Sequence, residues 1–267
     1  MWIVPSSALT AGMEESNVDQ KLSLKNTYEP GSQMWFARGR RFSGDTQLRG
    51  FGCGLVALED FCIYKGLCPR PESREAYLEE LRKMKRRYLP IFPGLGIAPY
   101  YYPLLMDLFF LRRHLPYRVG RSFGPGAAER RLKEELQKDT PVIFAAGPTI
   151  PFLFRKKRIR LYSLHNGRLE DCGASTRAHY MTVVGLEQVL PPLPAGKAEG
   201  AQGSAGAADP SKAQDPAGAE RKIPAMRVAS WGRFYYISLP EFKNYMRYTY
   251  PFTCRFYPMR PRSSSAP

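Results

Sequence analysis

The stretch Gln47-Leu-Arg-Gly-Phe-Gly-Cys53-Gly54-Leu-Val-Ala-Leu-Glu-Asp-Phe61 decides how the rest of the chain is interpreted. A glycine-rich turn is followed at once by an apolar run that begins at Cys53, and this spacing predicts a helix buried on one face. The sulfur of Cys53 then lies at a helix N-terminus, where unpaired N–H groups and the helix dipole favour a thiolate over a thiol. The position suits a nucleophile, although a small buried cysteine closing a turn is the commoner use of this residue.

Gln47 precedes Cys53 by six residues. We expect its side-chain amide to turn back toward the sulfur. That amide and the backbone N–H of Cys53 would then hold a tetrahedral oxyanion between them.

The composition is that of a folded, strongly basic protein. Of the 267 residues, 43% are hydrophobic and 13% aromatic, which excludes a wholly disordered chain. Forty Lys and Arg against 24 Asp and Glu give a formal charge of +16. Such a surface attracts an anionic partner, whether an acidic peptide, nucleic acid or anionic lipid, and the charge does not distinguish among them. Two basic runs, 82–87 and 155–160, are the candidate contacts, although a solvated helix face and an exposed hairpin loop are the commoner explanations of such runs.

The cysteines and the N-terminus limit the class of protein further. Five cysteines without a repeated short spacing predict neither a disulfide framework nor a metal site, and we expect no cofactor. The first residues lack the basic and apolar parts of a signal peptide. The long uncharged run 88–106 contains four prolines, which argues against a membrane span. The expected location is cytoplasmic.

Hydrophobic periodicity predicts helices in the first half of the chain and strands in the second. The predicted helices cover 53–66, 73–88, 104–115, 127–138 and 240–248. The predicted strands cover 34–42, 141–146, 159–164, 178–185, 226–231, 232–237 and 252–257. Helices first and antiparallel strands second indicate an α+β arrangement, with a helical N-terminal lobe packed on an antiparallel β-sheet lobe and a cleft between them.

Three segments fall outside this pattern. Residues 1–33 are polar and aperiodic, and we expect a surface arm. Residues 191–222 are almost entirely Ala, Gly, Pro, Ser and charged residues, which predicts a disordered insertion between two strands. Residues 258–267 form a C-terminal tail, so one domain occupies 34–257.

His179 is the candidate for a general base. Of the three histidines, His114 ends an apolar helix and His165 sits in a turn, whereas His179 opens an apolar strand and can face a cleft. A histidine with a purely structural role is the alternative if His179 is considered alone.

The order of these motifs resembles that of the papain-like cysteine peptidases, and within them most closely the compact bacterial bacteriocin-processing peptidases. The resemblance runs from about Gln47 to Tyr257. It rests on the Gln47 to Cys53 spacing, a histidine that opens a strand 126 residues later, and a Ser-Trp-Gly hairpin. It implies a papain-like fold in which Cys53 is the nucleophile, His179 its base and Gln47 the oxyanion donor. It implies a peptide or protein substrate.

The sequence departs from that family at the third catalytic position. Family members carry Asn or Asp before the Ser-Trp-Gly run to orient the imidazole, and this chain has Ala229 there, followed by Ser230. Strand alternation turns Ser230 away from the face of Ala229, so we expect another acceptor to orient the ring. Two hypotheses follow: a cysteine peptidase that forms a thioester on Cys53, and a catalytically silent module that binds peptides. Binding of an anionic polymer through the basic runs is a third.

Overall fold

The computed structural model describes residues 21–40, 43–91, 96–150, 157–193 and 220–262. Within them the chain forms an α+β fold in which most helices precede most strands. The helices are α1 Gly44–Phe51, α2 Cys53–Tyr64, α3 Arg74–Arg87, α4 Tyr102–Arg112, α5 Ala128–Gln137 and α6 Leu239–Tyr245. The strands are β1 Leu22–Ser23, β2 Tyr117–Val119, β3 Val142–Ala146, β4 Ile159–His165, β5 Arg168–Thr176, β6 His179–Val189, β7 Ile223–Ser230, β8 Arg233–Ser238, β9 Arg255–Tyr257 and β10 Met259–Pro261. No helix in these ranges is both long and apolar enough to cross a membrane.

Two helices meet end to end at Gly52. The segment expected to be a turn before Cys53 is instead α1, begun by the Ser43 hydroxyl, which accepts from the Thr46 N–H. Gly52 donates to the Leu48 carbonyl and so ends α1, and α2 starts at the next residue. A Cβ on Gly52 would lie 2.4 Å from the Leu48 oxygen, so only glycine fits this joint.

The main sheet is antiparallel, in the order β5-β4-β8-β7-β6-β3-β9, with β1 also pairing with β6. Side chains of β3 alternate between two hydrophobic cores: Ile143 packs with α2 and its neighbours, and Phe144 packs with α5 and α6. Both faces of β3 and β6 are therefore covered, which explains their uninterrupted apolar sequences. The α2 helix lies against β6, and the Thr182 hydroxyl donates to the Ala57 carbonyl at 3.4 Å.

Several sequence predictions need correction. Residues 34–40 contain no strand; a 3-10 helix spans Gln33–Trp35. Residues 168–176, to which no element was assigned, form β5, which pairs with β4; the strand was missed because few of its side chains are buried. The tail begins with β10, which pairs with β2, and Met259 is buried. Residues 1–20 of the arm, 194–219 of the insertion and 263–267 of the tail lie outside the described residues.

Candidate active site

One small cleft between α2 and the ends of β6 and β7 contains Cys53 and His179. About 10 Å³ inside it is open to a water-sized sphere, which is room for one water molecule. Its lining also includes both residues of the expected orienting region, a tryptophan, a carboxyl group and a glutamine. These are Ala229, Ser230, Trp231, Asp60 and Gln33.

Cys53 occupies the first position of α2, as expected. Its side chain is half-buried, and that burial raises the pKa of the thiol. The backbone amides of Tyr180, Gly54 and Cys53 itself act in the opposite direction but do not outweigh burial. The closed cleft therefore favours the thiol, contrary to the thiolate that the helix N-terminus alone predicts.

His179 is 6% exposed, and such burial favours the neutral imidazole. Burial lowers the pKa of His179 to about 3. Nε2 lies 2.6 Å from the Ser230 hydroxyl, and the ring stacks on Trp231 with centroids 4.6 Å apart. Ser230 is thus the partner of the imidazole. Strand alternation had favoured a different acceptor over Ser230.

The hairpin between β7 and β8 explains this contact. Trp231 and Gly232 both have positive φ, 49° and 76°, as a two-residue type I′ turn requires. Ser230 and Arg233 form the last pair before the turn. A bulky residue such as tryptophan is costly in the left-handed region, and the stacking on His179 offsets part of that cost.

The two central residues share the cleft without being bonded to each other. Among the described residues, no hydrogen bond joins the Cys53 sulfur to either ring nitrogen of His179. Tyr180 packs into the core on the α2 side, whereas Trp231, which covers the histidine ring, packs against the other core. Proton transfer between Cys53 and His179 requires the two side chains to come into hydrogen-bond contact.

Gln47 does not line the cleft. Because it lies within α1 rather than in a loop, its side chain points to α3, where its amide oxygen accepts from Lys85 Nζ at 2.6 Å. Gln33 takes its place beside Cys53, with its amide nitrogen donating to the Arg49 carbonyl at 3.1 Å. Gln33 lies 20 residues before the cysteine, and no spacing in the sequence connects the two.

A buried segment, residues 30–33, reaches the cleft through Gln33, and we refer to it as the strap. The Gly31 N–H donates to both carboxyl oxygens of Asp60 on α2, at 3.0 and 3.2 Å. Its carbonyl accepts from the Gly232 N–H on the hairpin at 3.0 Å. The strap thus bridges the helix that carries Cys53 and the hairpin that covers His179.

Asp60, which the strap contacts through Gly31, is a buried titratable group. It also accepts from the Tyr77 hydroxyl at 3.0 Å. Burial raises the pKa of this carboxyl to about 7, because the hydrogen bonds from Gly31 and Tyr77 only partly compensate for lost hydration.

Comparisons with protein-family models, with curated proteins and with solved structures found no match. The residues described above are therefore the basis for a functional assignment.

Proposed function

We propose that this protein is a thiol-dependent hydrolase of papain-like type, in which Cys53 forms a thioester with the acyl part of a peptide. The observation that carries the proposal is the cleft itself. It joins a cysteine at a helix N-terminus to a histidine whose Nε2 is held by Ser230 at 2.6 Å.

The chemistry follows from that arrangement. In the tautomer whose Nε2–H donates to Ser230, Nδ1 keeps a lone pair that can accept the thiol proton once it comes within hydrogen-bond reach of Cys53. The sulfur attacks the peptide carbonyl carbon, and the oxyanion is stabilised by the Cys53 N–H and the second N–H of the Gln33 amide. The C–N bond breaks as the imidazolium returns its proton to the amine. Water, deprotonated by His179, then hydrolyses the thioester and releases the thiol.

The closed cleft adds a requirement. A space that holds one water cannot admit a peptide, so the strap must move before substrate binds. Opening also hydrates Cys53 and His179, which brings the pKa of each back toward its ordinary value and makes proton transfer between them easier. The structure then corresponds to a latent form of the enzyme.

A peptide-reactive electrophile tests this assignment. A peptidyl vinyl sulfone adds covalently to an active-site thiol, and intact-mass and peptide mapping identify the modified cysteine. We expect modification at Cys53 in the native protein and its loss in His179→Ala, with the exposed Cys172 as the internal control for general thiol reactivity. Equal modification of Cys53 with and without His179 would contradict the proposed base.

The second hypothesis is a catalytically silent module that binds peptides, and the lack of a bond between the Cys53 sulfur and the His179 ring favours it. This alternative predicts peptide binding that survives Cys53→Ala, with no product formed by the native protein. Turnover of a mixed peptide library, followed by mass spectrometry, separates the two.

A further inference from the structure

The two basic runs differ in how their charges are balanced. On α3, Arg82 pairs with Asp45, Lys83 with Glu80 and Arg86 with Glu79. Carboxylates on the protein itself thus neutralise most of that run, as expected of a solvated helix face.

The second run leads to a cavity rather than to a paired surface. Lys157, Arg158 and Arg160, at the start of β4, line a space of about 480 Å³ against α6. In the described part of the chain, no ion pair to a carboxylate is found for any of the three. All three are exposed at its mouth.

The remaining lining is polar and aromatic. Ser175 from β5 and Asn244 from α6 can donate hydrogen bonds, and Lys157 Nζ lies 4.8 Å from the centroid of the Tyr248 ring. Among the described lining residues the one acidic side chain, that of Glu241, accepts from the Tyr162 hydroxyl at 2.6 Å. The described lining residues, three cations and one carboxylate, therefore carry an excess of two positive charges.

We propose that this cavity binds a small, multiply phosphorylated ligand. Its volume fits a compact molecule rather than a single phosphate. Guanidinium groups bind phosphate oxygens through paired, charge-assisted hydrogen bonds, and the lysine adds a point charge. The side chains of Ser175 and Asn244 supply neutral donors for the remaining oxygens. The site does not depend on the hydrolase assignment, since neither Cys53 nor His179 lines it.

The cavity is also connected to the segment that precedes His179. Tyr245, a lining residue on α6, shares its hydroxyl proton between the carbonyls of Gly147 and Arg177, at 2.9 and 2.5 Å. Ligand binding therefore stabilises α6 next to the start of β6.

Calorimetric titration of the full-length protein with inositol hexakisphosphate, in 0.15 M salt, tests the proposal. The variant K157Q/R158Q/R160Q removes three charges from the cavity, and K83Q/K85Q/R86Q removes three from α3 as the matched control. Ser175→Trp fills the cavity without changing the charge. We expect one binding site, at least about tenfold weaker in the cavity variant and in Ser175→Trp, and within about twofold of the native affinity in the control.

The source of the phosphates is distinguished by a second arm. Binding is measured to vesicles that contain phosphatidylinositol bisphosphate and to phosphatidylserine vesicles of equal charge. Preferential binding to the former that Ser175→Trp abolishes identifies a lipid headgroup as the ligand. Soluble hexakisphosphate binding with the same dependence identifies a free ligand, and either result supports the site. Equal weakening in the two triple variants would show attraction by net charge alone and overturn the proposal. The proposal would also be overturned if neither probe bound, or if an RNA oligonucleotide bound more tightly and Ser175→Trp left that binding unchanged.

Discussion

At the scale of single residues, Ser230 makes the contact with the imidazole that the resemblance assigns to an amide or carboxylate at position 229. A hydroxyl can accept from Nε2–H, which leaves Nδ1 free, but it can also donate to Nε2, so Ser230 orients the ring without fixing its tautomer. It carries no charge, however, and so stabilises an imidazolium less than a carboxylate does. A hydrolase with this arrangement should be slow.

The contribution of that contact can be measured by removing it. Ser230→Ala should lower turnover of a peptide substrate by about tenfold or more, the rate equivalent of one neutral hydrogen bond of ~1.4 kcal/mol. Ser163→Ala, which removes a hydroxyl from the exposed side of β4, is the control and should leave turnover unchanged. Steady-state kinetics on purified variants decides the matter, and an unaltered rate in Ser230→Ala would remove Ser230 from the mechanism.

Two buried groups near the cleft should give the protein opposing responses to pH. The pKa of His179 is lowered to about 3 in the folded state, so the unfolded state binds the extra proton and stability falls as the pH drops below about 6.5. The pKa of Asp60 is raised to about 7, so the folded state retains its proton and stability falls as the pH rises from about 4 to 7. Between these limits the two contributions offset each other.

Single variants should separate them. As the pH falls from 6 to 4.5, the free energy of unfolding of Asp60→Asn should decrease relative to that of the native protein, and that of His179→Gln should increase. Each difference should change by at most about 1.4 kcal/mol per pH unit. Urea unfolding at several pH values gives the slopes, and the exposed His165→Gln is the control. Parallel profiles for the native protein and the two cleft variants would contradict the buried, neutral state of both groups.

At the scale of elements, the proposed function requires the strap to move before a substrate reaches Cys53. Its position depends on close packing at Gly31, where a Cβ would lie 1.9 Å from the Tyr77 hydroxyl. Tyr77 is itself buried and hydrogen-bonded to Asp60, so it has little freedom to move aside. A larger side chain at position 31 must therefore displace the strap rather than Tyr77 on α3.

Gly31→Ala should therefore open the cleft. We expect faster alkylation of Cys53 by iodoacetamide than in the native protein, together with a small loss of thermal stability, because hydration restores the reactivity of a thiol whose pKa burial had raised. Gly126→Ala, at a position where a Cβ meets nothing within 4 Å, is the matched control. Peptide mapping after timed alkylation measures the rate at each cysteine. Unchanged protection of Cys53 would mean that the strap does not close the cleft.

At the scale of the whole molecule, the long insertion does not interrupt the sheet. Val189 at the end of β6 pairs with Ile223 at the start of β7, so the chain leaves and re-enters the sheet at neighbouring positions. A short connection can therefore join the two strands without altering their register.

Replacing residues 194–219 with a six-residue Gly-Ser linker should leave the fold intact. We expect a melting temperature within a few degrees of the native value and the same rate of Cys53 alkylation, because none of the residues that line the cleft is removed. Differential scanning calorimetry and the alkylation assay check both. Insoluble protein, or an altered alkylation rate, would show that the segment packs against the domain.

The extent of prediction from sequence also differs with scale. Most of the helices and strands follow from local patterns, since the spacing of apolar residues in 73–88 or 159–164 reflects which face each element must bury. Placing Cys53 at the start of α2 likewise needs only the glycine before it and the apolar run after it. The α1 helix was missed because its sequence has few apolar residues and two glycines, and what defines it is a capping serine and packing against α3.

The amino-acid sequence by itself determined an α+β chain with a cysteine at a helix N-terminus, a histidine at a strand start and a hairpin at Trp231–Gly232. Those features depend on residues close together in the chain. Only the tertiary structure decided that Gln33 rather than Gln47 lines the cleft with Cys53, that Ser230 contacts His179, and that the strap links α2 to the hairpin. Each of these depends on how deeply a side chain is buried and on which distant segment reaches it, and burial, more than the helix dipole or sequence spacing, sets the protonation of both central residues.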